Sequence, residues 1–558
     1  MKTNLFFLTL ILIIAGASVL NAQAPSIGWQ KTIGGDDNDS LTSIQPTADG
    51  GSIACGISKS NISGNKSQQS FNNSYDYWVV KLKPNGSLQW EKTIGGNGPD
   101  LNPVIIQTPD GGFLIGGRSK SNISGLKTED AINFSNDYWV IKIDKDGSYQ
   151  WDNTLGNIQL EAARGLALTT DGGYIIAGYA HSNNGYDKSE LNRGSSVWAD
   201  YWLVKLDKKG RVKWNKTYGG GNEDILTCIT ATTDGGFVMG GHSYSPAEFE
   251  KTDSFLGNCD YWIVKIDSSG NKLWDKVYGG IFSDYQTSIA QTADGGFILG
   301  GYSNSPASFS KTGSFRGVTD YWIIKTDAAG NKQWDKTIGG TGGDYLYAVQ
   351  QTADKGYILG GSSNSDAMFE KSENSKGFYD NWIVKLDASG NLQWDKTYGG
   401  ALSDKLSGIR EISANQYVLG AASNSGVSGD KSAGTVSNSG LNDFWILRLT
   451  GAAGKQSAQQ SVNAIAIGTI KSAAITRQVS MQVSPNPTSN TAVVSYDATT
   501  GKKVSLMVYD ITGNVIINKD LANKNGIHTV DLTRFAAGTY YFVLSSNQST
   551  ITSAVIKK

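Results

Sequence analysis

The stretch Asp320-Tyr-Trp-Ile-Ile-Lys-Thr-Asp-Ala-Ala-Gly-Asn-Lys-Gln-Trp334-Asp-Lys-Thr-Ile-Gly-Gly340 decides the fold, because near copies of it punctuate the chain up to about residue 450. Its second tryptophan returns as Trp29, Trp90, Trp151, Trp214, Trp274, Trp334 and Trp394, at spacings of 61, 61, 63, 60, 60 and 60 residues. Its first returns as Trp78, Trp139, Trp202, Trp262, Trp322, Trp382 and Trp445. Of the 15 tryptophans only Trp198 lies off these two positions. A period of this length with strand-like content points to a solenoid or a propeller.

Outward from Trp334, the strand closes at Gly339-Gly340, where backbone freedom favours a tight turn. Residues 344–352 (DYLYAVQQT) read as the next strand, and 353–356 as a short turn that is Asp-Gly-Gly in most other copies, a strong hairpin signal. Residues 357–363 form a third strand, followed by a variable loop rich in Ser, Asn, Gly and Lys. Residues 380–387 form a fourth, ended by the turn Asp387-Ala-Ser-Gly390. Four antiparallel strands per period make one propeller blade. The array starts in mid-blade at Trp29, and its last strand, residues 443–449, lacks an outer partner. Seven of each strand type are present only if residues 29–34 complete the last blade, an exchange that leaves no open edge at the seam. The expectation is an all-β chain with a seven-bladed β-propeller over residues 23–450, closed by an N-terminal strand.

The tryptophans then serve blade packing. Each buries about 150–250 Å², a gross gain of roughly 4–6 kcal/mol as an upper bound. The Asp-x-x-Gly-x-x-x-Trp spacing, as from Asp207 to Trp214 and Asp387 to Trp394, resembles the tryptophan-docking motif of quinoprotein-type propellers. That resemblance covers the blade turn alone. Those enzymes also carry a vicinal disulfide and a calcium site, and this chain has no adjacent cysteines, so no quinone cofactor is expected.

Residues 1–22 combine Lys2, an apolar run from Leu5 and a small residue, Ala22, the pattern of a secretory signal peptide. With 49 Lys and Arg against 50 Asp and Glu, the chain is near neutral, which gives no electrostatic case for nucleic acid or an anionic membrane. No later segment is apolar for long enough to span a bilayer as a helix. Cys55, Cys228 and Cys259 do not follow the period and form neither a metal signature nor a disulfide framework.

If the strand at 344–352 is innermost, the loops before it and the long variable loops share one face of the disc, where ligands are to be sought. Ten residues after each outer-strand tryptophan stands a carboxylate: Asp39, Asp100, Glu161, Asp224, Asp284, Asp344 and Asp404. A ring of these side chains suits a cation, calcium being possible, or a sugar or amine ligand. The competing reading is that each caps the turn into its own strand, which repetition in every blade favours, because scaffold rules repeat while sites are usually asymmetric. A second ring, Asp76, Asp137, Asp200, Asp260, Asp320, Asp380 and Asp443, invites the same two readings. Catalytic signals are weak. His181, His242 and His528 show no zinc-type spacing. Blade three departs most from the pattern, with Glu161, Arg164 and the insertion at 192–198.

After Leu449 the repeat stops. Residues 451–480 suit a linker. From Met481 alternating strands are expected at 492–496, 504–509, 526–532 and 539–544. The motifs Ser484-Pro-Asn-Pro487, 504–513 (VSLMVYDITG), Asp531-Leu532 and Ala537-Gly-Thr-Tyr-Tyr541, with the basic end at 552–558, resemble the type A C-terminal sorting domain of the type IX secretion system. The resemblance implies a small β-sandwich over 481–558, recognised by that secretion machinery, and export across the outer membrane of Bacteroidota-type bacteria. The function expected for the whole is binding of a glycan or another surface protein through the long-loop face. A secreted hydrolase or lyase with carboxylates on that face, and a structural scaffold of a surface assembly, are the alternatives.

Overall fold

The computed structural model describes residues 23–195, 197–437, 440–451, 480–484, 488, 490–497, 504–509, 515–521, 525–546 and 549–557. The expected signal peptide and most of the expected linker lie outside them, as do Pro485 to Pro487 and Asp510 to Gly513 of the sorting-domain motifs.

Seven four-stranded antiparallel sheets follow one another. Blade six has its strands, from the axis outward, at Asp344–Gln351, Tyr357–Ser363, Asp380–Leu386 and Leu392–Tyr398. The inner strands of successive blades adjoin, and blade seven adjoins blade one. At four of the seven seams a hydroxyl on the inner strand stitches it to the next: Thr42 Oγ1 donates to the Pro103 carbonyl at 2.5 Å, Thr227 to Gln286 at 2.8 Å, Thr287 to Leu346 at 2.7 Å and Ser407 to Leu41 at 2.6 Å. The last of these closes the ring. Every inner strand also carries a register shift near its third residue, as between Gln286 and Ser288, and such bulges increase local twist.

Blade seven consists of Asp404–Ser413, Gln416–Ser423 and Asp443–Thr450, with Ser26–Ile33 as its outer strand. The chain's N-terminal strand therefore completes its last blade. The indole Nε1 of each first-set tryptophan donates to the outer strand of its own blade, as Trp322 does to Asp335 at 3.1 Å and Trp78 to Glu91 at 2.6 Å. In blade seven the same hydrogen bond runs from Trp445 to Gln30 at 2.9 Å, across the closure. These seven indoles are fully buried. Five lie against the tyrosine at the second position of the preceding blade's third strand, as Trp322 does with Tyr261 at 4.8 Å between ring centroids. The second-set tryptophans sit on the outer strands and carry the next blade's Asp-x-x-Gly turn. A Cβ at Gly330 would stand 2.8 Å from the Trp274 ring, and the φ of +79° at Gly330 independently demands glycine.

On the face opposite the long loops, each Asp-Gly-Gly turn binds a lysine from the third strand, as Asp294 binds Lys325 at 2.9 Å and Asp171 binds Lys205 at 2.6 Å. Blade seven replaces this ion pair with an Arg448 to Gln416 hydrogen bond at 2.9 Å.

The C-terminal region is a sandwich of two sheets. Ser480–Ser484, Thr491–Asp497 and Asn525–Asp531 form one; Val515–Leu521, Val504–Tyr509, Gly538–Ser546 and Ser549–Lys557 form the other. Val494 and Val530 of the first share a core with Leu506, Val508, Phe542 and Leu544 of the second. Three strands at 480–484, 515–521 and 549–557 go beyond the four expected. Each lies at a sheet edge, and Val515–Leu521 (VIINKDL) shows no sustained alternation, as suits a strand only partly covered.

Candidate functional site

The turn before each inner strand and the long loop of the same blade meet on one face. In blade six, Ser365 of the long loop accepts from Gly342 N at 2.8 Å and donates to Asp344 at 2.9 Å. This contact places the acidic ring. Asp39, Asp100, Glu161, Asp224, Asp284, Asp344 and Asp404 each open an inner strand, and all are fully buried. Each accepts from the backbone N–H four residues earlier, at 2.6 to 3.0 Å. In six blades a long-loop serine adds a second hydrogen bond, and in blade three Ser182 takes the same position beside Glu161.

The second ring, equally buried, opens the third strands. Each of its members faces the acidic-ring carboxylate of the next blade: Asp76 faces Asp100, Asp137 faces Glu161, Asp200 faces Asp224, and Asp443 faces Asp39 across the closure. Buried lysines, Lys66 to Lys431 at the same repeat position, stand between the two rings within each blade. The result is a continuous belt of carboxylates and ammonium groups beneath the long-loop face. It accounts for the double glycine. A Cβ on the first glycine would lie 2.0 Å from the Asp320 carboxylate at Gly339, and a Cβ on the second 2.4 Å from Ser365 at Gly340. Among the described residues no group of three or more His, Cys, Asp or Glu side chains is placed to hold a metal ion.

Burial raises these carboxyls, and the facing carboxylate adds to it: Asp76 and Asp200 are pushed up to about 8, and Asp443 to about 7. Unfolded, each would lose its proton near 3.8. Between these limits unfolding releases protons, so rising pH favours the unfolded chain. Lys188, lowered by burial to about 8, is charged in both states below that value and adds no slope. Asp171 is held down at about 2 by Lys205, so its stabilisation is lost only below this window. The melting temperature should therefore climb by about 5 °C or more as pH falls from about 8 to about 6.5, above the range in which His242, lowered by burial to about 4, takes up a proton on unfolding. A flat or opposite trend in calorimetry would contradict the proton-holding belt.

Above the belt the repeat breaks its own rules. The fourth residue of the inner strand, the stitching Thr or Ser in blades one, four, five and seven, is Pro103, Arg164 and Tyr347 in blades two, three and six. The second residue is Tyr285 in blade five and Tyr345 in blade six, against Ser40, Leu101, Ala162, Ile225 and Lys405 elsewhere. These substitutions produce a run of rings. His242 lies 5.0 Å from Tyr285, Tyr285 5.3 Å from Tyr302, Tyr302 5.1 Å from Tyr345, and Tyr345 6.1 Å from Tyr379 between centroids. Lys405 Nζ stands 5.8 Å over the Tyr379 ring at one end. In blade three the Arg164 guanidinium lies 5.5 Å over Tyr179, donating to its hydroxyl at 3.3 Å, and His181 is 6.0 Å away. Tyr285, Tyr302, Tyr345 and Tyr379 are half-buried, so their ring surfaces are partly open. Tyr347 also lines a cleft of about 450 Å³ with Ser40, Lys405, Ser407, Asn424 and Asn442, where blades six, seven and one converge.

Burial lowers His242 to about 4, with Arg164 adding to the shift, so its imidazole is neutral at physiological pH. Among the described residues its Nδ1 and Arg118 Nε are enclosed without a hydrogen-bond partner. The insertion at 192–198 is fastened by Asn192, whose Nδ2 donates to Ala180 and Trp198 carbonyls at 2.9 and 2.8 Å, and its Val197 carbonyl contacts His181 Nδ1 at 3.3 Å. Sequence reasoning singled out Arg164, His181 and His242 but not the tyrosines. For Tyr285 and Tyr345 the signal was positional: an aromatic at a repeat position that the other blades fill with Ser, Leu, Ala, Ile or Lys.

Residues 482–558 match the secretion system C-terminal sorting domain family. The chain is thus a cargo of the type IX secretion system, exported to the cell surface or released. Among the described residues no helix is long and apolar enough to cross a membrane. The chain is 27% identical over 371 residues to the regulatory protein FlaEY of Caulobacter vibrioides, a match covering 59% of this chain and 36% of that one. Similar solved structures include a protein of unknown function from Dyadobacter fermentans, with a TM-score of 0.39 and 11% identity, covering 76% of this chain and 99% of that one. The Pan2 WD40 domain of Neurospora crassa aligns with a TM-score of 0.37 and 8% identity, covering 75% of this chain and 97% of that one.

Proposed function

We propose that the exported propeller is a binding module that holds a glycan on its long-loop face without breaking it down. The observation that carries this reading is the run of half-buried rings from His242 to Tyr379, confined to blades four to six. Such rings offer broad apolar faces with a polar hydroxyl at the rim, suited to the mixed C–H and hydroxyl surface of a sugar. The acidic ring plays no direct part in this reading, because its oxygens lie buried under the face and accept scaffold hydrogen bonds. The belt carboxylates are likewise closed to a substrate and do not supply a hydrolytic pair.

A glycan array on the mature full-length chain tests this, followed by titration of the best ligand. Tyr285→Ala with Tyr345→Ala should weaken binding at least tenfold, about 1.4 kcal/mol or more, with the melting temperature little changed. Binding should persist in a chelator, and no reducing ends should accumulate. Binding untouched by the tyrosine changes would move the site elsewhere, and turnover of the ligand would favour the hydrolase. Glycans failing throughout while a surface protein binds would favour the protein-ligand alternative.

A further inference from the structure

The rim of the long-loop face divides by chemistry. Aromatic rings occupy blades three to six, while cations occupy blades one, two, three and seven. Lys59 and Lys120 hold the position that His181 takes in blade three, and Arg118 holds that of Tyr179. Arg164 rises beside Tyr179, and Lys405 hangs over Tyr379. Elsewhere in the propeller, arginines on the loops and turns are matched to carboxylates, Arg193 with Glu250, Arg211 with Asp207 and Arg316 with Glu370, all at 2.7 Å, and the strand arginines Arg410 and Arg448 donate to the Gln45 and Gln416 side chains. Among the described residues Arg118, Arg164 and Lys405 have no ion-pair partner, and Arg118 Nε is enclosed yet donates to nothing. The chain as a whole is near neutral, so this local excess is not a by-product of a basic protein. Of the carboxylates beneath, Asp100 accepts from Gly96 N at 2.9 Å and Ser121 Oγ at 3.1 Å, and Glu161 accepts from Asn157 N at 3.0 Å through one oxygen, its other oxygen being buried without a hydrogen bond.

A guanidinium presents a planar fork of donors matched to carboxylate and sulfate-like oxyanions, and stacking on a ring holds that fork in place. We propose that the saccharide taken by this site is anionic, an oligosaccharide bearing carboxylate or sulfate groups that meet Arg118, Arg164 and Lys405 while its sugar faces lie along the tyrosines. This rests on the glycan-binding reading above. Successive rings 5.0 to 6.1 Å apart from His242 to Tyr379 suit a chain of several sugar units rather than one.

Calorimetric titration of the mature full-length chain with a galacturonic acid hexamer, its fully methyl-esterified form and a sulfated hexasaccharide tests the inference. The esterified hexamer keeps the sugar and removes the charge. At least one acidic hexasaccharide should bind tenfold or more tighter than the ester, with the preference shrinking as salt rises. A preference for the galacturonate alone assigns carboxylate as the recognised group, and one for the sulfated sugar alone assigns sulfate. Arg118→Gln with Arg164→Gln should bring acid and ester within about threefold of each other, chiefly by weakening the acid. Lys405→Gln, at an exposed position that folding does not depend on, should shift the preference in the same direction by less. An ester bound as tightly as the acids would overturn the anionic selectivity and leave glycan binding standing, as would a preference surviving all three changes. Failure of all three sugars together with a blank neutral-glycan array would sink both readings.

Discussion

A chain lacking residues 23–35 is expected to lose cooperative folding of the propeller, at a cost of more than about 5 kcal/mol, comparable with the whole stability of an ordinary domain. The strand Ser26–Ile33 supplies an entire antiparallel ladder to Asp443–Thr450. Its side chains also reach beyond blade seven. Gln30 accepts from the Trp445 indole at 2.9 Å and donates to the Asp430 carbonyl at 2.7 Å; just before the strand, the Pro25 carbonyl takes the buried Tyr398 hydroxyl at 2.6 Å. Without them two polar groups in the core lose their partners, each costing about 1–3 kcal/mol. The edge left open by Asp443–Thr450 would be free to pair with another chain. Calorimetry and size-exclusion chromatography should show a broad or absent transition and soluble aggregates, and a synthetic peptide of residues 23–35 should restore part of the transition in trans. A truncated chain that melts within about 3 °C of the intact one would show that the closure is dispensable.

That closing strand is legible in the sequence alone. Each tryptophan series has seven members, and every blade receives one of each only when Trp29 is assigned to the last blade; the structure pairs Trp29 with Arg448 as that assignment requires. Glycines, turns and packing tryptophans are legible for the same reason: a scaffold rule is written seven times, so one repeat can be read against six others. The binding face obeys the opposite logic. Its residues are single departures, and their meaning depends on neighbours that the ring brings together: His242 and Tyr285 are 43 positions apart, and Tyr302 and Tyr345 likewise, because each pair bridges two blades. A regular acidic ring draws the eye instead. Its depth beneath the surface follows from the inner strand starting below the crossing of two loops, which spacing along the chain does not disclose. In the C-terminal sandwich, the strands left unread are those at sheet edges, where half-covered positions tolerate polar residues and the period of two fades.

Gly339→Ala is expected to destabilise the propeller by about 3 kcal/mol or more, a large effect for one methyl group. Backbone conformation is not the reason, since Gly339 does not occupy the left-handed region. The added Cβ would stand 2.0 Å from Oδ1 and 2.6 Å from Cγ of Asp320, far inside contact distance. Asp320 cannot simply swing away. Its other oxygen accepts from Arg316 N at 2.5 Å, its carboxyl faces Asp344, and the site is fully buried. Asp320→Ala alone should cost about 1–3 kcal/mol, because the Arg316 N–H loses its acceptor. If crowding is the cause, the double variant will be more stable than the sum of the two changes predicts, by about 1 kcal/mol or more in a double-mutant cycle. Additive losses would mean that the glycine serves the turn itself and not the belt. The same argument applies at Gly95, Gly279 and Gly399, where an added Cβ would lie 2.1, 1.7 and 1.8 Å from the equivalent carboxylates, so one cycle speaks for a rule that the chain writes in every blade.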